Sequence, residues 1–190
     1  MKIDKGFIIS GFFLVILALM FFTPLGDKFT TKMNELTLSG PSTEKPERYF
    51  NLNDENMNID LKGYNGTADA NLKDFRGKVV FLNFWGSWCP PCVAEMPGIQ
   101  KLYESKGESV AFVLITMKDK PGKFVPFLQE HNYTMPVYEA NSLLPKVLIP
   151  GSFPTTYILN KKGDIVLKEV RSADWNSAEF NQLIDKLIKE

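Results

Sequence analysis

Lys78-Val79-Val80-Phe81-Leu82-Asn83-Phe84-Trp85-Gly86-Ser87-Trp88-Cys89-Pro90-Pro91-Cys92 opens with a nearly continuous apolar run of strand length, the pattern of a central β-strand covered on both faces. The prolines that follow Cys89 suit the first positions of a helix, where a missing N–H costs nothing, and that helix is expected to run to about Lys106. Val110 to Thr116 reads as the next strand, parallel to the first if the helix is the crossover between them. Pro121 to His131 reads as helical. Thr155 to Asn160 and Asp164 to Val170 read as strands joined by the tight turn Lys161-Lys162-Gly163. Ser177 to Lys189 closes as an amphipathic helix with Phe180, Leu183, Ile184, Leu187 and Ile188 on one face. Upstream, Tyr49 to Leu52 and Asn58 to Leu61 are short enough to form a hairpin, and Asn65-Gly66 marks a further turn. The expected architecture is α/β: a mixed central sheet flanked by helices and preceded by an N-terminal hairpin.

The 190 residues are 44% hydrophobic and 23% charged, enough for one well-buried domain and an appendage. Basic and acidic residues balance at 22 each, so no electrostatic footprint for nucleic acid is present. Two cysteines in the whole chain exclude a multi-disulfide framework and a four-cysteine zinc site.

Where those two cysteines fall decides what they can do. At a strand-to-helix junction, Cys89 lies near unpaired N–H groups and the positive end of the helix dipole, which favour its thiolate. Cys89 therefore reads as a nucleophile that attacks a disulfide, and Cys92, one turn further in, as the thiol that resolves the mixed disulfide. Pro90 and Pro91 supply no N–H, so the thiolate is expected to be less stabilised than in a motif with another residue at position 90. That would make the pair a reductant rather than a strong oxidant. Two other uses of the pair stay open. The same scaffold could oxidise or isomerise disulfides, or Cys89 and Cys92 could hold copper(I) as soft ligands of a metallochaperone. Against the metal reading stand the lack of a neighbouring histidine and of a methionine cluster. His131, the single histidine, reads as a surface residue at a helix end.

Gly6 to Phe22 carries no charge, and Thr23 to Leu25 extend it to about the length that crosses a bilayer. No small-x-small cleavage pattern follows Ala18, where Leu19, Met20, Phe21 and Phe22 stand, and no nearby cysteine could accept a lipid. Residues 1–5 are expected in the cytoplasm, because Lys2 and Lys5 precede the run. Residues 6–25 read as an uncleaved transmembrane anchor, 26–46 as a flexible tether with Gly40-Pro41-Ser42-Thr43 and Pro46, and 47–190 as a domain outside the cytoplasm, where a cysteine pair can cycle.

The segment Phe84-Trp85-Gly86-Ser87-Trp88-Cys89-Pro90-Pro91-Cys92, with Glu95, Pro97 and Gly151-Ser152-Phe153-Pro154-Thr155-Thr156-Tyr157-Ile158-Leu159, resembles the TlpA-like branch of the thioredoxin superfamily. That branch includes the ResA-type and cytochrome c maturation reductases, and the likeness covers roughly residues 46–190. It implies a thioredoxin-like fold and a thiol–disulfide reductase at the cell membrane, facing the periplasm or outer surface. Exported proteins, apocytochrome c among them, are the implied substrates. Electrons would come from a membrane donor, and the redox-active disulfide Cys89–Cys92 would serve without a further cofactor or metal. The chain is expected to be monomeric. Glu95 matches the family's acidic residue that manages protons for the cysteine pair, although a glutamate at that helical spacing could equally be solvated. Pro154 matches the family's cis-proline; Phe153 would then offer its backbone to an extended substrate, and Trp88 could shield the nucleophile or touch substrate. Two departures stand out: Asn83 replaces the buried aspartate of thioredoxin itself, and Arg171 stands where relatives often have glycine.

Overall fold

The apolar run at 79–85 forms the central strand, buried along its whole length in a computed structural model that describes residues 12, 33, 37–42 and 50–190. In chain order the elements are β1 (Phe50–Asn51), α1 (Asp54–Met57), β2 (Asp60–Tyr64), β3 (Ala70–Asn71), β4 (Val79–Trp85), α2 (Pro90–Lys106), β5 (Val110–Thr116), α3 (Pro121–Glu130), β6 (Val137–Ala140), β7 (Thr155–Leu159), β8 (Asp164–Glu169) and α4 (Ala178–Lys189), with 3-10 turns at Leu72–Phe75 and Lys146–Leu148. The chain divides into two units, 1–37 and 38–190. In the first, Thr37 Oγ1 donates to the Met33 carbonyl at 3.1 Å. The expected cytoplasmic terminus and transmembrane segment lie outside the described residues, Phe12 apart, as does most of the expected tether. Among the described residues no helix is long and apolar enough to cross a membrane.

One sheet of eight strands, in the order β1-β8-β7-β4-β5-β6-β2-β3, organises the second unit. β5 runs parallel to β4, as a helical crossover requires, and β6 runs parallel to β5. β7 and β8 pair antiparallel, and the turn between them places Gly163 at φ 85°, a conformation glycine adopts without steric cost.

Alternation along β4 sends Val79, Phe81 and Trp85 into one apolar cluster and Val80, Leu82 and Phe84 into another on the opposite face. The first cluster takes Met96, Ile99 and Leu102 from α2, Phe124 and Leu128 from α3, and Phe180, Ile184 and Leu187 from α4. Met57 of α1 and Leu72 and Leu148 of the two 3-10 turns help cover the second. Helices thus flank the sheet on both faces, with the three long ones on the same side.

The expected N-terminal hairpin does not form. β1 pairs with β8, whereas β2 pairs with β3 and β6 near the far edge of the sheet. The connecting segment buries Leu52, Met57 and Ile59 completely or nearly so, and burying three large side chains contributes several kcal/mol, more than a two-residue ladder can offer. Asn65 and Gly66, both at positive φ, instead turn the chain between β2 and β3. β6 was not anticipated: its four residues follow Pro136 and are too few to show a period.

Residues 38–42, within the expected tether, lie against the loop that follows β8. The Ser39 carbonyl accepts from the Asp174 N–H at 2.8 Å, Ser39 Oγ accepts from Arg171 Nη1 at 2.9 Å, and the Ser42 N–H donates to Glu169 Oε2 at 2.9 Å. Pro41 is buried there.

Candidate active site

Cys89 caps α2 with extended backbone, and Pro90 and Pro91 fill the first two helical positions. Cys92 therefore carries the first N–H of the helix, as the two prolines dictate. Cys89 and Cys92 are joined as a disulfide with Cα atoms 5.3 Å apart. Cys89 keeps 4% of its surface exposed and Cys92 none, so of the two sulfurs Cys89 is the one an outside reactant meets first.

The turn before Cys89 is held from three directions. The Cys89 N–H donates to the Gly86 carbonyl at 3.1 Å, the Ser87 N–H to Asp119 Oδ2 at 2.6 Å, and Trp88 Nε1 to the Met117 carbonyl at 3.0 Å. A Cβ on Gly86 would lie 2.4 Å from Trp88 Nε1, so the indole folds back over this position because no side chain stands there. Trp88 remains 49% exposed and meets the Phe153 ring edge to face at 5.6 Å. The peptide bond between Phe153 and Pro154 is cis. Trp88, Phe153 and Pro154, distant in sequence, are thus brought together beside the cysteine turn.

Glu95 is fully buried, which settles its environment against the solvated alternative. Oε1 accepts from Asn83 Nδ2 at 2.9 Å, and Oε2 accepts from Trp175 Nε1 at 2.7 Å and from the Ala173 N–H at 3.3 Å. Asn83 spends its other hydrogen on Thr156 Oγ1 at 2.8 Å, while its Oδ1 has no partner. Alternation explains the placement: Asn83 on β4 and Thr156 on β7 are register partners and point to the face on which α2 packs. Burial pushes the Glu95 carboxyl up to about 8, only partly offset by the three donors, and the charge of Glu169 adds to the rise.

Trp175, Ala173, Thr156 and Asp119 were not singled out by the residue pattern. A lone tryptophan amid Ser172-Ala173-Asp174 and Asn176-Ser177 was the available signal, since so large a ring in a polar stretch usually has a buried partner. His131 is exposed at the end of α3, where Nδ1 lies 2.9 Å from the Phe127 carbonyl. Among the described residues no group of three or more His, Cys, Asp or Glu side chains is placed to hold a metal ion.

The sequence profile of the Redoxin family matches residues 51–184. The thioredoxin-like protein YneN of Bacillus subtilis is 34% identical over 128 residues, 66% of this chain and 74% of that protein. The thiol-disulfide oxidoreductase ResA of Oceanobacillus iheyensis is 33% identical over 123 residues, 62% of this chain and 64% of that protein, so the likeness spans just under two thirds of its length. Among solved structures, a putative thiol:disulfide interchange protein DsbE from Chlorobium tepidum superposes with a TM-score of 0.62 at 22% identity, over 75% of this chain and 98% of that one, which speaks for the fold alone. With a profile that spans well over half of the chain and a cysteine pair at the mouth of a thioredoxin-like sheet, this chain belongs to the Redoxin family, is a thiol–disulfide oxidoreductase and is similar to the ResA proteins over part of their length.

Proposed function

We propose that the chain is a membrane-anchored reductase of disulfides in exported proteins. It would be held by residues 6–25, with Cys89 as nucleophile, Cys92 as resolving thiol and Glu95 as the proton acceptor between them. The carrying observation is the buried Glu95 carboxyl, three residues beyond Cys92 on the same helix and pushed up to about 8. An ordinary thiol ionises near 8.5, so a proton passes between thiol and carboxylate at little cost, the matching that general acid–base catalysis needs.

The Cys89 thiolate attacks one sulfur of the substrate disulfide, forming the Cys89–substrate bond and releasing one substrate thiolate, which takes a proton from water. Cys92 then gives its proton to Glu95 and attacks Cys89 Sγ. The Cys89–Cys92 bond forms and the second substrate thiolate leaves. Two electrons have moved from the dithiol to the substrate, and a membrane dithiol donor returns them by the same exchange. The half-exposed Trp88, the Phe153 backbone and Pro154 form the surface an extended substrate segment meets. The ResA-type relatives and the reducing poise expected of Pro90 and Pro91 support reduction over oxidation, and apocytochrome c is one substrate of the right chemistry.

Expression of a Cys92→Ala variant in the native host tests this reading. Exported proteins should accumulate on Cys89 as mixed disulfides, recovered from membranes under non-reducing conditions, and a Cys89→Ala control should capture none. Equal capture by both variants, or by neither, sinks it. A reduction potential as high as those of strongly oxidising dithiol enzymes would turn the direction around.

A further inference from the structure

We infer that Trp175 is a positioning residue for the proton of Glu95: its indole N–H commits Oε2 to accepting, so that Oε1 is the oxygen that takes and gives up the proton. The inference rests on the proposed role of Glu95 and adds which atom works and what selects it.

All three partners of the carboxyl are donors, but they divide unequally. Oε2 faces two N–H groups that can never accept, the Trp175 indole at 2.7 Å and the Ala173 backbone at 3.3 Å. A proton placed on Oε2 would meet both of them head on. Oε1 faces a single donor, Asn83 Nδ2, whose second hydrogen is already committed to Thr156 Oγ1. The acid form therefore costs less with its proton on Oε1.

The indole is not free to swing away. Its ring meets Phe81 edge to face at 5.0 Å and Phe180 at 5.0 Å, and it is fully buried. Its loop is fastened on the outside by the Asp174 N–H to the Ser39 carbonyl. On the inside α2 approaches at Gly98, where a Cβ would sit 3.6 Å from the Trp175 nitrogen. Of the elements packed on Glu95, β8 contributes one charged group, Glu169, whose own carboxylate is engaged by Arg171 at 3.3 Å and by the Ser42 N–H. β4 and β7 contribute Asn83 and Thr156, which do not titrate, and α2 itself contributes the cysteine pair. Asp174 lies on the loop, where Oδ1 takes up the Asn176 N–H.

The test follows the pH dependence of Cys89 alkylation by iodoacetamide in the reduced full-length chain. The native chain should show an inflection from Glu95, and Glu95→Gln should lack it. Trp175→Phe should retain it, moved upward by roughly one to two pH units because a hydrogen bond to a charged group is lost. An inflection in Trp175→Phe at the native position overturns the inference and leaves the role of Glu95 standing. An inflection that persists in Glu95→Gln removes the reading of Glu95, and this inference with it. A second measurement needs no change at Trp175 and so survives a variant that fails to fold. In the native chain with 15N-labelled tryptophan, the Trp175 indole resonance should titrate through the same inflection and become independent of pH in Glu95→Gln. An indole resonance that stays still in the native chain overturns the inference.

Discussion

Asn83 Nδ2 on β4 lies 2.9 Å from Glu95 Oε1 on α2, and the same amide donates its other hydrogen to Thr156 Oγ1 on β7 at 2.8 Å. One neutral side chain thus links two neighbouring strands, β4 and β7, to the Glu95 carboxyl. Thioredoxin's own aspartate at this place would do the reverse and bring a second charge.

Replacing the amide by an acid tests that arrangement. Asn83→Asp sets two carboxyls in one buried site, where both cannot ionise, so they should titrate in two coupled steps. Urea unfolding of the disulfide form should show a loss of roughly 2 kcal/mol or more at pH 8 and a smaller loss at pH 5, because protonation relieves the repulsion. Equal losses at both values would contradict the coupling.

Glu95 makes stability depend on pH in a stated direction. In the folded chain its proton is held up to about 8, whereas an unfolded glutamate loses it near 4.3. Between those values the native state holds more protons than the unfolded one, so stability falls as pH rises. The contribution is complete below about pH 4 and lost above about pH 8, at on the order of a kcal/mol for each pH unit crossed. Glu95→Gln, measured in the disulfide form so that the cysteines do not titrate, should flatten this slope. The same variant should slow protein-disulfide reduction at neutral pH by roughly 10²-fold.

Trp88 offers an exposed ring at the mouth of the site, backed by Phe153. Trp88→Ala should lower kcat/KM on a folded protein disulfide by about tenfold, the equivalent of losing one aromatic contact. A small aromatic disulfide, which covers less of that surface, should lose less. Equal losses on the two would assign Trp88 to the cysteine turn rather than to the substrate.

Arg171 holds Ser39 Oγ, the Gly40 carbonyl and Glu169 from a half-exposed position. Arg171→Ala should cost under about 1 kcal/mol of global stability, as exposed ion pairs do. Hydrogen exchange at the Asp174 amide, which is bonded to the Ser39 carbonyl, should nonetheless quicken. Unchanged exchange there would show that the 38–42 segment holds without the guanidinium.

How much of this was legible beforehand follows from the range of each signal. Residues 78–92 carried the central strand, the helix start and the cysteine junction, because an apolar run and two prolines after Cys89 act over a few positions. The closing hairpin at Lys161-Lys162-Gly163 and the amphipathic α4 were legible for the same reason. The expected N-terminal hairpin differs from the structure because β1 pairs with Asp164–Ile165 and β2, besides its short neighbour β3, pairs with Val137–Ala140; both distant partners lie more than seventy residues away, and local pattern carries no information about such distances. Glu95 showed its spacing from Cys92 in the chain, but not its burial. Asn83, Ala173 and Trp175 converge on it from positions 12, 78 and 80 residues away. Short-range chemistry, the order of strand, proline and sulfur, was determined by the amino acids in a row. The environment that raises one carboxyl and orients its proton was decided by tertiary packing, because desolvation and hydrogen-bond geometry exist only once separate segments have closed around the group.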